Sequence, residues 1–201
     1  MTEVFEEVLL FWFGPLDNGV ACESKQRLWW EGREEDDRQL DELFGGLVRR
    51  AMRGELDTWA RSPRGRLALI LLLDQFSRSI YRGTADAFGG DGMALEACRQ
   101  GIRLGHDLAL ETAERLFFYM PLEHAESLDA QNLHIAQLES LRQSLNGAHR
   151  GLIDNALDFA HQHRDLIVRF GRFPHRNDVM GRASTEEELA HLNQSHRRWG
   201  Q

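Results

Sequence analysis

The sequence predicts an all-α protein: stacked antiparallel helical hairpins in a tetratricopeptide-like superhelix with degenerate repeats. Three observations carry that expectation. Apolar residues recur at three- and four-residue spacing along almost the whole chain. The two-residue alternation of a half-buried strand is almost absent. The four prolines, Pro15, Pro63, Pro121 and Pro174, fall at expected helix starts or turns. A 34-residue repeat leaves only hints, such as MALEACRQGI, so any repeats have lost their signature positions. With 201 residues, one helical domain spanning 1–201 is expected, large enough to bury a real core.

The elements follow from spacing and punctuation. A first helix is expected from about Thr2 to Phe13, stopped by Gly14-Pro15. A second carries Leu28, Trp29 and Trp30. A third spans about Glu35 to Arg53, with Leu40, Leu43, Phe44, Leu47, Val48, Ala51 and Met52 on one stripe. Gly45 and Gly46 lie inside it and cost about 1 kcal/mol each against alanine, which points to close approach of a neighbouring helix. Ser62-Pro63 is an N-cap and first turn. The run Leu67 to Leu73 that follows is apolar all round, so it is expected at the centre of the fold. A helix from Asp91 to Leu104 presents Ala94, Ala97, Cys98, Gly101 and Ile102. A short helix is expected over Ala113 to Phe118. Pro121 then opens a long one to about Leu145, with Leu128, Ile135, Leu138, Leu141 and Leu145 inward. The next runs from about Leu152 to Phe170 and stops at Gly171. Ser184-Thr185-Glu186-Glu187-Glu188 reads as a capping box before a last helix.

Composition narrows function. The formal charge of −8 argues against nucleic acid as the partner. The longest apolar run has seven residues, far below the ~20 of a membrane span. The N-terminal MTEVFEEVLLFWFG is acidic where a secretory signal is basic, and Cys22 and Cys98 form no disulfide framework, so a reducing cytoplasm is expected. HExxH, paired CxxC, GxGxxG, the P-loop and GxSxG are all absent, and no cofactor is expected. Of the 24 basic residues only Lys25 is lysine, so planar guanidinium forks are abundant.

Four constellations carry chemistry. Asp74, Arg78 and Arg82 stand at i, i+4 and i+8 directly after the apolar run, as a structural ion pair or a ligand-facing site. The run Arg169-Phe170-Gly171-Arg172-Phe173-Pro174-His175-Arg176-Asn177 alternates arginine with aromatics across a helix stop. From Arg169 to Arg182 there are four arginines and one acid, a local +3 in an acidic protein. His161, Asp165 and Arg169 repeat the i, i+4, i+8 spacing, which suits an oriented imidazole or a satisfied half-buried histidine. His124 and Glu126 follow Pro121. His124, His161 and Asp165 are the candidate catalytic groups. Together with Glu126 they lack metal-ligand spacing, so no metal is expected.

LLLDQFSRSIYRGTADAFGGD, FFYMPLEHAESLDAQ and HRDLIVRFGRFPHRNDVMGRASTEEELAHL, with VLLFWFG and ELDTW, resemble the uncharacterised bacterial family catalogued as domain of unknown function 924. The resemblance covers nearly the whole chain. It implies an all-α, tetratricopeptide-like fold and no established activity. Ser79 stands where the pattern more usually has asparagine, and Ala125 where it has serine. The resemblance implies that Asp74, Gln75, Arg78, Arg82, Asp91, His124, Glu126, Arg169, Arg172, His175, Arg176 and Asn177 occupy the family's polar motif positions.

Three functions remain open. One is a binding module that holds an acidic peptide, protein or small anion in an arginine-lined cleft. Another is a small-molecule enzyme, with His124 or His161 as base and arginines on an anionic substrate. The third is a structural or assembly protein braced by salt bridges. In the cleft readings, Asp74–Arg82, Pro121–Glu126 and Arg169–Asn177 converge, and Arg172 or Arg176 faces an open groove.

Overall fold

The computed structural model describes residues 4–194. Thr2 and Glu3 of the expected first helix lie outside them. The described residues are helical and turn structure with no strand; an isolated bridge joins Asp17 and Val20. The order is α1 (Val4–Phe13), α2 (Glu23–Trp30), α3 (Glu34–Met52), α4 (Pro63–Ile70), a π-helical turn (Leu71–Phe76), α5 (Ser77–Ile80), α6 (Asp91–Arg103), α7 (Thr112–His124), α8 (Leu128–Gln143), α9 (Ala148–Phe170) and α10 (Glu186–Gln194). No helix among the described residues is long and apolar enough to cross a membrane.

The centre lies where the sequence puts it. Leu67 through Leu73 are all at most 3% exposed. The Ser62 hydroxyl caps α4 by accepting from the Gly65 amide at 3.2 Å. Helices α1, α6 and α7 pack on α4, and α3 packs on the π turn that continues it. Successive helices α6 to α9 pack on one another as chain neighbours. The side chain at position 101 must be absent for α6 to fit: a Cβ on Gly101 would run into the Phe118 ring and the Arg66 stem.

The central helix does not run through as a plain α-helix. It widens into the π turn at Leu71–Phe76 and closes again at α5. Side chains bond carbonyls in this stretch. The Ser77 hydroxyl donates to Leu73 O at 2.7 Å and the Arg78 guanidinium to Asp74 O at 2.8 Å. Such turns are frequent at functional sites.

Three local expectations need correction. Pro121 does not open a helix; it lies inside α7, which starts at Thr112 through a capping box between Glu111 and Glu114. Burial explains it. Leu116 through Glu123 are at most 7% exposed, and this packing outweighs the roughly 3 kcal/mol that an interior proline costs. The break falls at residues 125–127, and Ser127 caps α8. Gly45 and Gly46 are not contact points for another helix: Gly45 abuts Asp41 and Arg49 of its own helix, and Gly46 has open space beside it. Leu43 and Leu128, expected inward, are 55% and 42% exposed.

Replacing Leu71 with alanine removes packing from a fully buried position in the π turn. Urea denaturation should show a loss of about 2–5 kcal/mol. A loss below about 1 kcal/mol would place the stabilising core elsewhere.

Candidate functional site

A cavity of about 650 Å³ is lined by residues of α2, the π turn and α5, α7, α9 and the turn Pro174–Arg176. That is within the ~300–1,000 Å³ typical of small-molecule sites. All three polar segments reach it: Gln75, Arg78 and Arg82 from the first, His124 from the second, His175 and Arg176 from the third.

Behind the lining sits Asp74, with no exposed surface. A charge there must be paired, because its desolvation costs several kcal/mol. Arg78 approaches to 3.1 Å and His124 Nδ1 to 2.7 Å on the same carboxylate oxygen. Gln75 donates to the other at 2.6 Å. Burial alone would raise the Asp74 carboxyl, but Arg78 and then His124 outweigh it and hold it well below the usual range. The ionised Asp74 accepts from Nδ1–H of His124. That leaves Nε2 as the ring nitrogen of His124 not engaged by Asp74.

Arg78 also reaches Asp91, at 2.9 Å. The backbone allows this because Gly90 lies flat on the π turn, where a Cβ would strike the Leu73 carbonyl. Asp91 is shared. Arg176 Nη1 meets it at 3.4 Å, a long contact. The Arg176 guanidinium lies over two rings, 4.7 Å from Phe88 and 4.6 Å from Phe173. Its Nε is buried with no hydrogen-bond partner among the described residues, and the side chain is only 6% exposed. Burial, then repulsion from Arg78, pushes the guanidinium down to about 10. A second lining residue, Trp12, also has a buried ring N–H without an acceptor among the described residues.

The other motif residues brace the loop that presents Arg176. Gly171 ends α9 in the left-handed conformation. Glu126 accepts from the Phe173 amide at 2.8 Å and from both Nη atoms of Arg182 at 2.7 and 2.9 Å. Arg172 is fully engaged: Nε and Nη2 bond Glu188 at 2.7 and 2.8 Å, and Nη2 bonds Ala183 O at 2.9 Å. Asn177 is 1% exposed and donates to Ser184 and Glu188. Thr185 and Glu188 form the reciprocal capping box of α10. Arg169 pairs with Glu187 on the surface.

Glu126, Arg169, Arg172, Asn177, His161 and Asp165 therefore do not line the cavity, and Asp74 and Asp91 stand behind its lining. His161 and Asp165 are exposed. Of the two arginines expected at an open groove, Arg172 is occupied by Glu188 and Arg176 lines the cavity. Arg82 also lines it, held by Asp37 at 2.7 Å. The sequence reading missed Glu123, next to His124, and His163, two residues beyond His161; both line the cavity. His163 follows Ala156 and Ala160 on the inward face of α9, so a polar residue on an apolar stripe was the available signal. It missed the aromatic wall too: Trp12, Trp29, Trp30, Phe88 and Phe159.

Glu123 faces two histidines, His134 at 3.4 Å and His163 at 3.5 Å. Burial pushes His134 down to about 4. Burial, then Arg176 and His163, pushes His175 down to about 3. Among the described residues no group of three or more acidic, histidine or cysteine side chains is arranged to hold a metal ion.

These two histidines set a pH dependence. Unfolded, they take up protons near pH 6.5; folded, they refuse them until about 4 and 3. Their contribution to stability is complete above pH 6.5 and is lost as pH falls. Urea midpoints should drop from pH 7 to 4.5, by up to about 1.4 kcal/mol per unit for each histidine. His134→Leu should flatten that slope whatever its effect at pH 7. An unchanged slope would show that His134 titrates alike in both states.

Residues 8–196 match the family model described as "Bacterial protein of unknown function (DUF924)". A solved structure, "Structure of Protein of Unknown Function ATU0120 from Agrobacterium tumefaciens", is similar, with a TM-score of 0.79 and 34% sequence identity. That match covers 96% of this chain and 98% of the Agrobacterium chain. The curated proteins contain no match. The chain, with its all-α fold and the motif residues gathered around one cavity and its supporting loop, belongs to this DUF924 family of bacterial proteins.

Proposed function

We propose that the protein binds a small organic anion in the cavity, with Arg176 as the principal anchor and Arg78 beside it. The observation that carries this reading is the state of Arg176: nine-tenths buried, pressed by two aromatic rings, with a long contact to a shared carboxylate and an unbonded Nε. Leaving a buried donor unmet costs about 1–3 kcal/mol, more for a charged group. An anionic ligand would remove that cost on binding. The cavity volume suits a small molecule better than a peptide chain.

A second reading rests on a different observation, the His124–Asp74 pair. An imidazole held at Nδ1 by a buried carboxylate is the arrangement of a general base. In that reading, the anion held by Arg176 is a substrate, and His124 Nε2 takes a proton from it or from a water beside it.

Titration calorimetry with small carboxylates tests the first reading. Arg176→Gln should weaken binding about tenfold or more, as expected for a lost charge-assisted contact. Stability should stay within about 1 kcal/mol or rise, because Asp91 keeps its ion pair with Arg78. Unchanged affinity in a folded variant would sink the proposal.

His124→Gln tests the second. Glutamine can still donate to Asp74 but cannot act as a base. Turnover of carboxylate-bearing esters and amides, followed by mass spectrometry, should fall by about 100-fold or more. Affinity should change little. Turnover that survives this variant would leave the pair with only a structural part.

A further inference from the structure

We infer that the anion is an aromatic monocarboxylate, with its ring against Trp30 and Phe159 at the mouth of the cavity and its carboxylate on the edge of Arg176 at the inner end. This rests on the anion-binding reading above and names the class of that anion.

Exposure orders the lining. Arg176 is 6% exposed, Trp12 is 2% and Trp29 is 9%, whereas Trp30 is 56% and Phe159 is 47%. The acidic group therefore goes inward and the apolar body outward. Among the described residues, Trp30 and Phe159 are the aromatic side chains classed as exposed, and both line this cavity. Each carries about 150–250 Å² of side-chain surface that flat, apolar matter covers best, by offset or edge-on ring contact. Trp30 itself stacks on Phe117 at 5.9 Å and 21°, which steadies one face of the indole.

The shape of the anchor selects the acid. Phe88 and Phe173 both press on the Arg176 guanidinium, at 4.7 and 4.6 Å, so a ligand must meet it at nitrogens the rings leave open, among them the unbonded Nε. A planar carboxylate meets a guanidinium edge-on through two parallel bonds.

Charge selects its valence. Arg78, Arg82 and Arg176 stand with Asp37, Asp74, Asp91 and Glu123, three positive groups against four negative. That surrounding is already one charge negative, so a singly charged carboxylate meets less repulsion there than a phosphate, which brings up to two charges near neutral pH.

The test is calorimetry at pH 7 with four probes: 1-naphthoate, acetate, 1-naphthyl phosphate and 1-naphthol. Naphthoate should bind about tenfold tighter than acetate and clearly tighter than either other naphthyl compound. Phe159→Ala, alone and with Trp30→Leu, should bring naphthoate toward the affinity of acetate and leave acetate unmoved. Both substitutions fall at exposed positions, and melting curves would verify folding. Arg176→Gln should weaken both carboxylates. If naphthoate binds no tighter than acetate and both still depend on Arg176, the ring is overturned and the anion site stands. Tighter binding of naphthyl phosphate overturns the carboxylate and its single charge. Equal binding of naphthol, or no binding of any probe, overturns the anion site together with this inference.

Discussion

The arrangement depends on one buried charge. Asp74 sits in the core without solvent, and an isolated carboxylate there would be neutral or absent. It remains ionised because Arg78 and His124 share one of its oxygens and Gln75 takes the other. Each partner is thereby fixed in turn. His124 is locked at Nδ1. Arg78 is held between Asp74 and Asp91, and Asp91 in turn draws in Arg176 from a loop 85 residues along the chain. The π turn is part of the same arrangement, since Asp74 lies within it and Ser77 and Arg78 bond carbonyls of Leu73 and Asp74.

The polar motif residues divide into two groups with different physics. Glu126 with Arg182, and Glu188 with Arg172, are two-pronged pairs in which both carboxylate oxygens meet guanidinium nitrogens, although Arg182 Nε is buried without a partner among the described residues. Truncating one partner of such a pair strands the other, so stability carries the effect. Arg176 is the opposite case. Its contacts with two rings position it rigidly while its hydrogen bonds stay incomplete. Rigid placement with unspent donors is preorganisation, which lowers the ordering cost of binding.

The sequence made the helical fold and its centre legible, since seven consecutive apolar residues admit few other places than the core. Ser62, Thr185 and Glu188 announced their caps by chemistry alone. Pro121 misled, because the rule that proline opens helices is local, and burial of Leu116 to Glu123 overrides it. The site was legible as three segments and not as a set of side chains. Spacing said that Arg172 and Arg176 were both available, but only folding shows that Glu188, from the capping box of α10, occupies the first. His161 stands out in the sequence because it completes a ladder with Asp165 and Arg169. The helix turns that ladder to solvent and His163 to the cavity. The aromatic wall was invisible for a related reason: Trp29, Trp30 and Phe159 read as ordinary helix faces until α2 and α9 are placed on the same cavity.

The long reach of these contacts has a bearing on how the chain is made. Asp74 meets His124 across 50 residues, Glu126 meets Arg182 across 56, and Asp91 meets Arg176 across 85. During synthesis the N-terminal helices and the central apolar run emerge well before the partners that complete the pocket. Domains assemble from the N-terminus as the ribosome delivers them, and distant pairings close last. Until those partners arrive, Asp74 and the apolar run lack the contacts that cover them in the finished fold. The pocket takes shape only once the segment around Glu188 has left the ribosome, so a competent pocket marks a chain that has finished folding.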